Sequence, residues 1–143
     1  MSEISINKIL YTDDSFKIAQ QIRNQVFVEE QEVDPVLEMD KFDKTASHYL
    51  FFVKDLAVGT ARWRITEFGI KLERFAILKK HRGFGYGSKL VGAVLKDISS
   101  KEKIIYLNSQ VNALSFYQKL GFVSQGSQFQ EAGIYHYKMI FKG

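Results

Sequence analysis

The run Arg82-Gly83-Phe84-Gly85-Tyr86-Gly87-Ser88 constrains this chain more than any other segment. Ahead of it, Leu72 to Leu78 reads as a strand. Behind it, Leu90, Val91, Val94, Leu95 and Ile98 form an apolar stripe at helical spacing. A further apolar run, Ile104 to Leu107, supplies a second strand. A strand–helix–strand unit of this kind implies a parallel pair, residues 71–78 beside 104–107, joined by a right-handed crossover. Glycines at alternate positions let backbone approach a ligand with no Cβ in the way. The helix N-terminus offers unpaired N–H groups and the positive end of a dipole. With the Arg82 cation beside it, the loop reads as a cradle for pyrophosphate.

Around this unit the rest of the chain arranges itself. Ile4 to Tyr11 reads as a first strand. Asp13 or Asp14 is placed to cap a helix running to about Glu30, with Ile18, Ala19, Ile22, Val26 and Phe27 facing inward. Gln31 to Lys44 is acidic, contains the only proline, Pro35, and reads as an irregular, mobile loop. Ser47 to Lys54, Ala57 to Thr66 and Lys71 to Leu78 follow as an antiparallel meander, with a turn at Phe68-Gly69. Late in the chain, Asn112 is placed to cap a helix carrying Ala113, Phe116, Tyr117 and Leu120, which Gly121 ends. Strands near Phe122 to Ser124 and Tyr135 to Phe141 close the order βα, βββ, α, β, α, ββ. The expectation is an α/β fold: a mixed, mostly antiparallel sheet with a central parallel pair and flanking helices. With no repeat or linker, residues 1–143 read as a single domain.

Bulk properties narrow the function. No cysteine is present, which excludes disulfides and thiolate metal sites and fits a cytoplasmic location. Met1 to Asn7 has neither a basic nor an apolar leader region, and no apolar run approaches the roughly 18 residues that span a bilayer. No membrane association is expected. The net charge of +4 is spread along the chain, so no nucleic-acid partner is expected either. The histidines, 3 in all, include no i, i+4 pair, and no metal is expected.

Spacing then separates the glycine loop from other phosphate binders. A dinucleotide fingerprint starting at Gly83 needs its third glycine at Ser88, and one starting at Gly85 needs it at Leu90. A Walker loop needs Gly-Lys-Ser/Thr, where this chain has Gly87-Ser88-Lys89. Arg/Gln-x-x-Gly-x-Gly/Ala between strand and helix does fit. On this loop the chain resembles the GNAT superfamily of N-acetyltransferases. The stretch Asn112 to Phe122, a helix ending in a Gly-Phe turn, resembles that family's later segment. Arg23 to Val33, with Arg-x-x-Val-Phe-x-x-Glu-Gln, and the acidic residues after it resemble a small bacterial branch. The tail Phe129 to His136 is also similar to that branch, with Tyr135 where a proline is common.

The resemblance implies acetyl-coenzyme A as co-substrate and direct acetyl transfer to a small-molecule or peptide primary amine in a ternary complex. An acyl-coenzyme A sensor without turnover is the alternative. The expected donor site comprises Arg82, Gly83, Phe84, Gly85, Tyr86, Gly87 and Ser88 for the pyrophosphate. Phe75, Ala76 and Ile77 would serve the pantetheine arm, with Asn112 and Phe116 alongside. A backbone N–H of the 75–77 strand would meet the oxyanion. Tyr117 matches the family position for the acid that protonates the leaving thiolate; otherwise it is a core aromatic. Glu73 is either the base or a strand-edge charge paired with Arg62 or Arg64, in which case water is the base. Glu30 and Gln31 are expected to wall the acceptor site. His48 and His136 stand as acceptor-side or structural residues. The assembly is expected to be a monomer or homodimer.

Overall fold

The computed structural model describes residues 3–98 and 103–143; Met1 and Ser2, read above with the leader region, lie outside them. Its strands are β1 (Ile4–Ile9), β2 (Ser47–Val53), β3 (Leu56–Ile65), β4 (Ile70–Ile77), β5 (Ile105–Gln110), β6 (Phe122–Glu131) and β7 (Ile134–Phe141). They form one sheet in the order β1-β2-β3-β4-β5-β7-β6. Every neighbouring pair is antiparallel except β4 and β5, which run parallel. The helices are α1 (Phe16–Arg23), α2 (Pro35–Glu38), α3 (Tyr86–Asp97) and α4 (Leu114–Lys119). No helix among the described residues is long and apolar enough to cross a membrane.

Alternation along the strands gives the sheet two unlike faces. One carries Tyr49, Phe51, Ile70, Leu72, Leu107 and Met139 into a core with Leu90, Val91 and Val94 of α3 and Ile98 just after it. Burying each of those aliphatic side chains contributes about 1.5–3 kcal/mol. The other face carries a second apolar cluster, where Ile9, Leu50 and Ala76 meet Phe16, Ala19 and Ile22 of α1. Elsewhere that face is polar. The register sets His48 opposite Arg62, Arg62 opposite Glu73, Arg64 opposite Lys71, and Gln110 opposite His136.

Several expectations from the sequence need correction. The first helix starts at Phe16 with neither aspartate as its cap; Asp13 instead accepts from the Leu10 N–H at 2.8 Å. Its inner face is Phe16, Ala19, Ile22 and Arg23, while Ile18 is 37% exposed. From Asn24 to Glu30 the helix widens to π geometry, marked by the Gln31 N–H bonding the Val26 carbonyl five residues back. Asn112 caps nothing: it lies in a 3₁₀ turn, Val111–Ala113, ahead of α4. Gly121 does end α4, with φ of 101°. β6 runs to Glu131, well past Ser124, because its polar continuation pairs with β7 alone.

The largest difference lies at residues 31–44, expected as a mobile loop. Asp34 caps α2 through a 2.9 Å bond from the Val36 N–H, with Pro35 in the first turn. A 3₁₀ turn, Lys41–Lys44, follows. Ion pairs hold both turns onto the polar face. Arg23 Nε donates to Glu38 Oε2 and its Nη1 to Asp43 Oδ1, each at 2.8 Å. Arg62 Nη1 donates to the same Asp43 oxygen at 2.7 Å and to Asp40 Oδ1 at 2.8 Å. Both arginines are only 1% exposed. Burial alone would raise the Asp40 carboxyl, but Arg62 and Arg74 more than reverse this and hold it at about 2. Asp43 is likewise held below the ordinary carboxylate range by Arg23 and Arg62 against the effect of burial.

Two outcomes follow from this network. Asp43→Asn leaves two buried guanidinium groups short of a counter-charge. It should lower unfolding free energy by about 3–5 kcal/mol. An unchanged urea midpoint and slope would contradict that. The depressed carboxyl groups stabilise the fold above the ordinary carboxylate range and lose that contribution as pH falls through their folded values. The melting temperature should therefore drop between about pH 4 and pH 2; a flat Tm across that window, read by circular dichroism, counts against the network.

Candidate active site

The parallel pair is short: only Ile70, Lys71 and Leu72 register with Ile105, Tyr106 and Leu107. Past Leu72 the two strands part. β5 continues beside β7 to the Gln110–His136 pair, while β4 follows β3. A bulge accompanies the parting. The β3–β4 register steps from Arg62–Glu73 to Thr60–Ala76, so Arg74 and Phe75 oppose Ala61 alone. Arg74 takes a φ of 57°, a left-handed backbone rare for arginine. Its side chain is fixed by Glu38, whose Oε2 accepts from Nε at 2.8 Å, and by Asp40. The buried acids of the 31–44 segment therefore also secure the bulge.

The parting opens a cleft of about 920 Å³. Among the expected site residues, Glu30, Gln31, Glu73, Phe75, Arg82, Asn112, Tyr117 and His136 line it. Ala76, Ile77, Phe116, His48 and residues 83–88 do not. His48 is buried beneath Phe16, its Nε2 donating to the Asp43 carbonyl at 2.8 Å. Burial pushes its pKa down, so it is a neutral structural residue that no acceptor reaches. The expectation of an acceptor-side His48 is thereby corrected. Sequence reading missed Arg74, Asn108 and Ser109 in the cleft wall, since no motif marks them, and Glu131, which lies in the 129–136 tail but was given no role.

Glu73 meets more cations than the sequence anticipated. Its Oε1 accepts from Arg62 Nε at 3.1 Å and from Arg64 Nε at 2.5 Å, and Lys71 Nζ lies 3.3 Å from Oε2. Burial would raise its pKa, but the three cations outweigh burial and hold it low. Glu30 is paired as well: its two carboxylate oxygens accept from Arg82 at 2.6 and 2.8 Å. That hydrogen bonding lowers the Glu30 pKa, so Glu30 is not a free anion at the cleft wall. Arg82 also donates to the Ile77 carbonyl at 2.8 Å. Gln31 Oε1 accepts from Gln110 Nε2 at 2.8 Å, tying the end of the π-helix to β5.

Tyr117 stands on α4 against Phe116 and Phe122, with ring centroids 4.9 and 5.7 Å away. Burial pushes its hydroxyl up to about 12, so it holds its proton at neutral pH. The glycine loop lies beside this cleft. Gly83 and Gly85 have φ of 89° and 80°, and apart from the adjoining residues no atom lies within 4 Å of where a Cβ would stand on either. Gly85 opens α3, whose Lys89 N–H bonds the Gly85 carbonyl, leaving the N–H groups of Tyr86 to Ser88 without helical partners. At Gly87 a Cβ would lie 3.2 Å from the Phe116 ring, so Phe116 closes the rear of the loop. Phe84 and Tyr86 stack at 5.5 Å. Among the described residues, no cluster of three or more histidine, aspartate or glutamate side chains is placed to hold a metal ion.

Similarity to known proteins accords with this geometry. The acetyltransferase (GNAT) domain family matches residues 11–142. Over 134 residues the chain is 34% identical to YjcF of Bacillus subtilis (strain 168), named an uncharacterized N-acetyltransferase, covering 92% of this chain and 96% of that one. Escherichia coli ElaA superimposes with a TM-score of 0.86 at 25% identity, over 97% of this chain and 99% of that one. A GNAT family acetyltransferase from Elizabethkingia anophelis, solved with acetyl-CoA bound, shares the fold at a TM-score of 0.70 and 19% identity, over 98% and 96%. With the parted strands, the open glycine loop and a family match across nearly its whole length, the chain belongs to the GNAT acetyltransferases, acyltransferases that take acetyl-CoA as co-substrate.

Proposed function

We propose that this protein transfers an acetyl group from acetyl-CoA to a primary amine by direct attack within a ternary complex. The observation that carries the reading is Tyr117. Its hydroxyl makes no hydrogen bond among the described residues and keeps its proton at neutral pH, and Tyr117 lines the cleft that the parting of β4 and β5 opens. A side chain so placed suits the role of acid to a leaving thiolate.

The residues present fit the co-substrate. The open space over Gly83 and Gly85 admits a pyrophosphate against backbone, with the free N–H groups of α3 and the Ser88 hydroxyl as donors. Arg82 stands next to them; engaging an anion means sharing its guanidinium with Glu30. Phe75 and Ala76 of β4, past the last parallel pair, offer backbone to the pantetheine amides, while the Ile77 carbonyl is already engaged by Arg82. Acetyl-CoA supplies the activated acetyl thioester. The bulged backbone at Phe75 would give an N–H to the oxyanion. Glu73, kept ionised by three cations, holds Arg62 and Arg64 in place and takes no proton from the amine.

The sensor alternative is tested by incubating the protein with acetyl-CoA and a panel of aliphatic amines, polyamines, amino acids and peptide N-termini. Amine-dependent thiol release is expected. Tight CoA binding with no acylation of any amine would overturn the transfer reading. Tyr117→Phe should lower kcat by about 100-fold with little change in CoA affinity; full activity removes Tyr117 as the acid. Gly85→Asp forces a side chain into left-handed backbone and sets a negative charge on the cradle. It should abolish CoA binding by calorimetry, and undiminished affinity would refute the loop assignment.

A further inference from the structure

We propose that His136 is the general base of the transfer, taking the proton of the attacking amine at Nε2. This assignment rests on the acetyl-transfer reading. The β6–β7 hairpin turns through Ala132 and Gly133, both at positive φ (52° and 77°), and so brings Ile134 round beside the His136 ring. Nδ1 of His136 lies 2.7 Å from the Ile134 carbonyl. A carbonyl only accepts, so Nδ1 carries the hydrogen and the neutral ring keeps its lone pair on Nε2.

That lone pair is uncommitted. No donor among the described residues bonds Nε2, and the carboxylate Oε2 of Glu131 lies 3.9 Å away. At that distance the carboxylate does not occupy the nitrogen. The ring is stacked on Phe129 at 5.9 Å, and its strand is held on both sides, by Gln110 on β5 and Phe129 on β6. It lines the same cleft as Tyr117. The cleft's other bases are spoken for: Glu73 by three cations, Glu38 and Asp40 by arginines, Glu30 by Arg82. Glu131 is engaged by Asn108, whose Nδ2 donates to Oε1 at 3.2 Å.

The step balances. Nε2 takes one proton from the amine as its carbon–nitrogen bond forms, and Tyr117 gives its hydroxyl proton to sulfur as the carbon–sulfur bond breaks. The imidazolium then returns a proton through solvent to the Tyr117 phenolate, and both side chains end as they began.

The test combines turnover, binding and spectroscopy. The groups that could colour a pH profile here are Glu131 on β6, Lys138 on β7, Lys71 and Glu73 on β4, Tyr117 on α4 and the Glu30–Arg82 pair. With the panel amine acetylated fastest, His136→Gln should lose about 100-fold in kcat/KM and the acidic limb of its pH profile, with CoA affinity within about twofold. In wild-type protein, nitrogen-15 NMR should show one histidine, absent from the His136→Gln spectrum, as the Nδ1–H tautomer. Wild-type turnover retained by His136→Gln overturns this assignment alone, and so does an Nε2–H tautomer. Wild-type protein that binds CoA but acetylates no panel amine overturns the transfer reading and this assignment with it.

Discussion

Arg62 is the charge on which the rest of the site depends. It sits in the middle of β3, 1% exposed, where an unpaired guanidinium would be very costly. Burial alone would favour its neutral form; Asp40, Glu73 and Asp43 reverse this and hold it charged. Those three carboxylates come from two places, the neighbouring strand and the segment crossing over the sheet. Satisfying one buried cation therefore docks that segment, and the docked segment becomes a wall of the cleft. Arg23 repeats the arrangement from α1 through Glu38 and Asp43, so helix, segment and sheet are joined by shared carboxylate oxygens.

The same carboxylates reach the chemistry. Glu38 and Asp40 hold Arg74 in its left-handed backbone, and that residue is the bulge that carries β4 away from a simple ladder. Loss of the ladder frees the backbone that can face a co-substrate. The acidic segment thus acts as a clamp on the sheet through Glu38, Asp40 and Asp43. On the β5–β7 side, Gln110, Asn108 and His136 line the cleft without an arginine partner.

What the sequence disclosed follows the range of the forces involved. The glycine loop, the α3 stripe, the meander strands and the parallel pair were legible because local periodicity and loop spacing specify them. Residues 31–44 were not, since their turns are held by arginines 15 or more residues away. His48 stood as acceptor-side or structural, and the same segment supplies the Asp43 carbonyl that holds its ring. The polar stretch of β6 lacks apolar alternation, and pairing with β7 alone makes it a strand. The Glu73 ion pair was legible in part: Arg62 and Arg64 stood as possible partners, and the register sets Glu73 opposite Arg62.

The central claim is that the glycine loop and the cleft form one site, with co-substrate running from cradle to Tyr117. A crystal structure with coenzyme A bound tests it most directly. The pyrophosphate should lie on the N–H groups of residues 83–88, and the sulfur within hydrogen-bonding reach of the Tyr117 hydroxyl. A pyrophosphate bound away from the loop, or a sulfur remote from Tyr117, would contradict it.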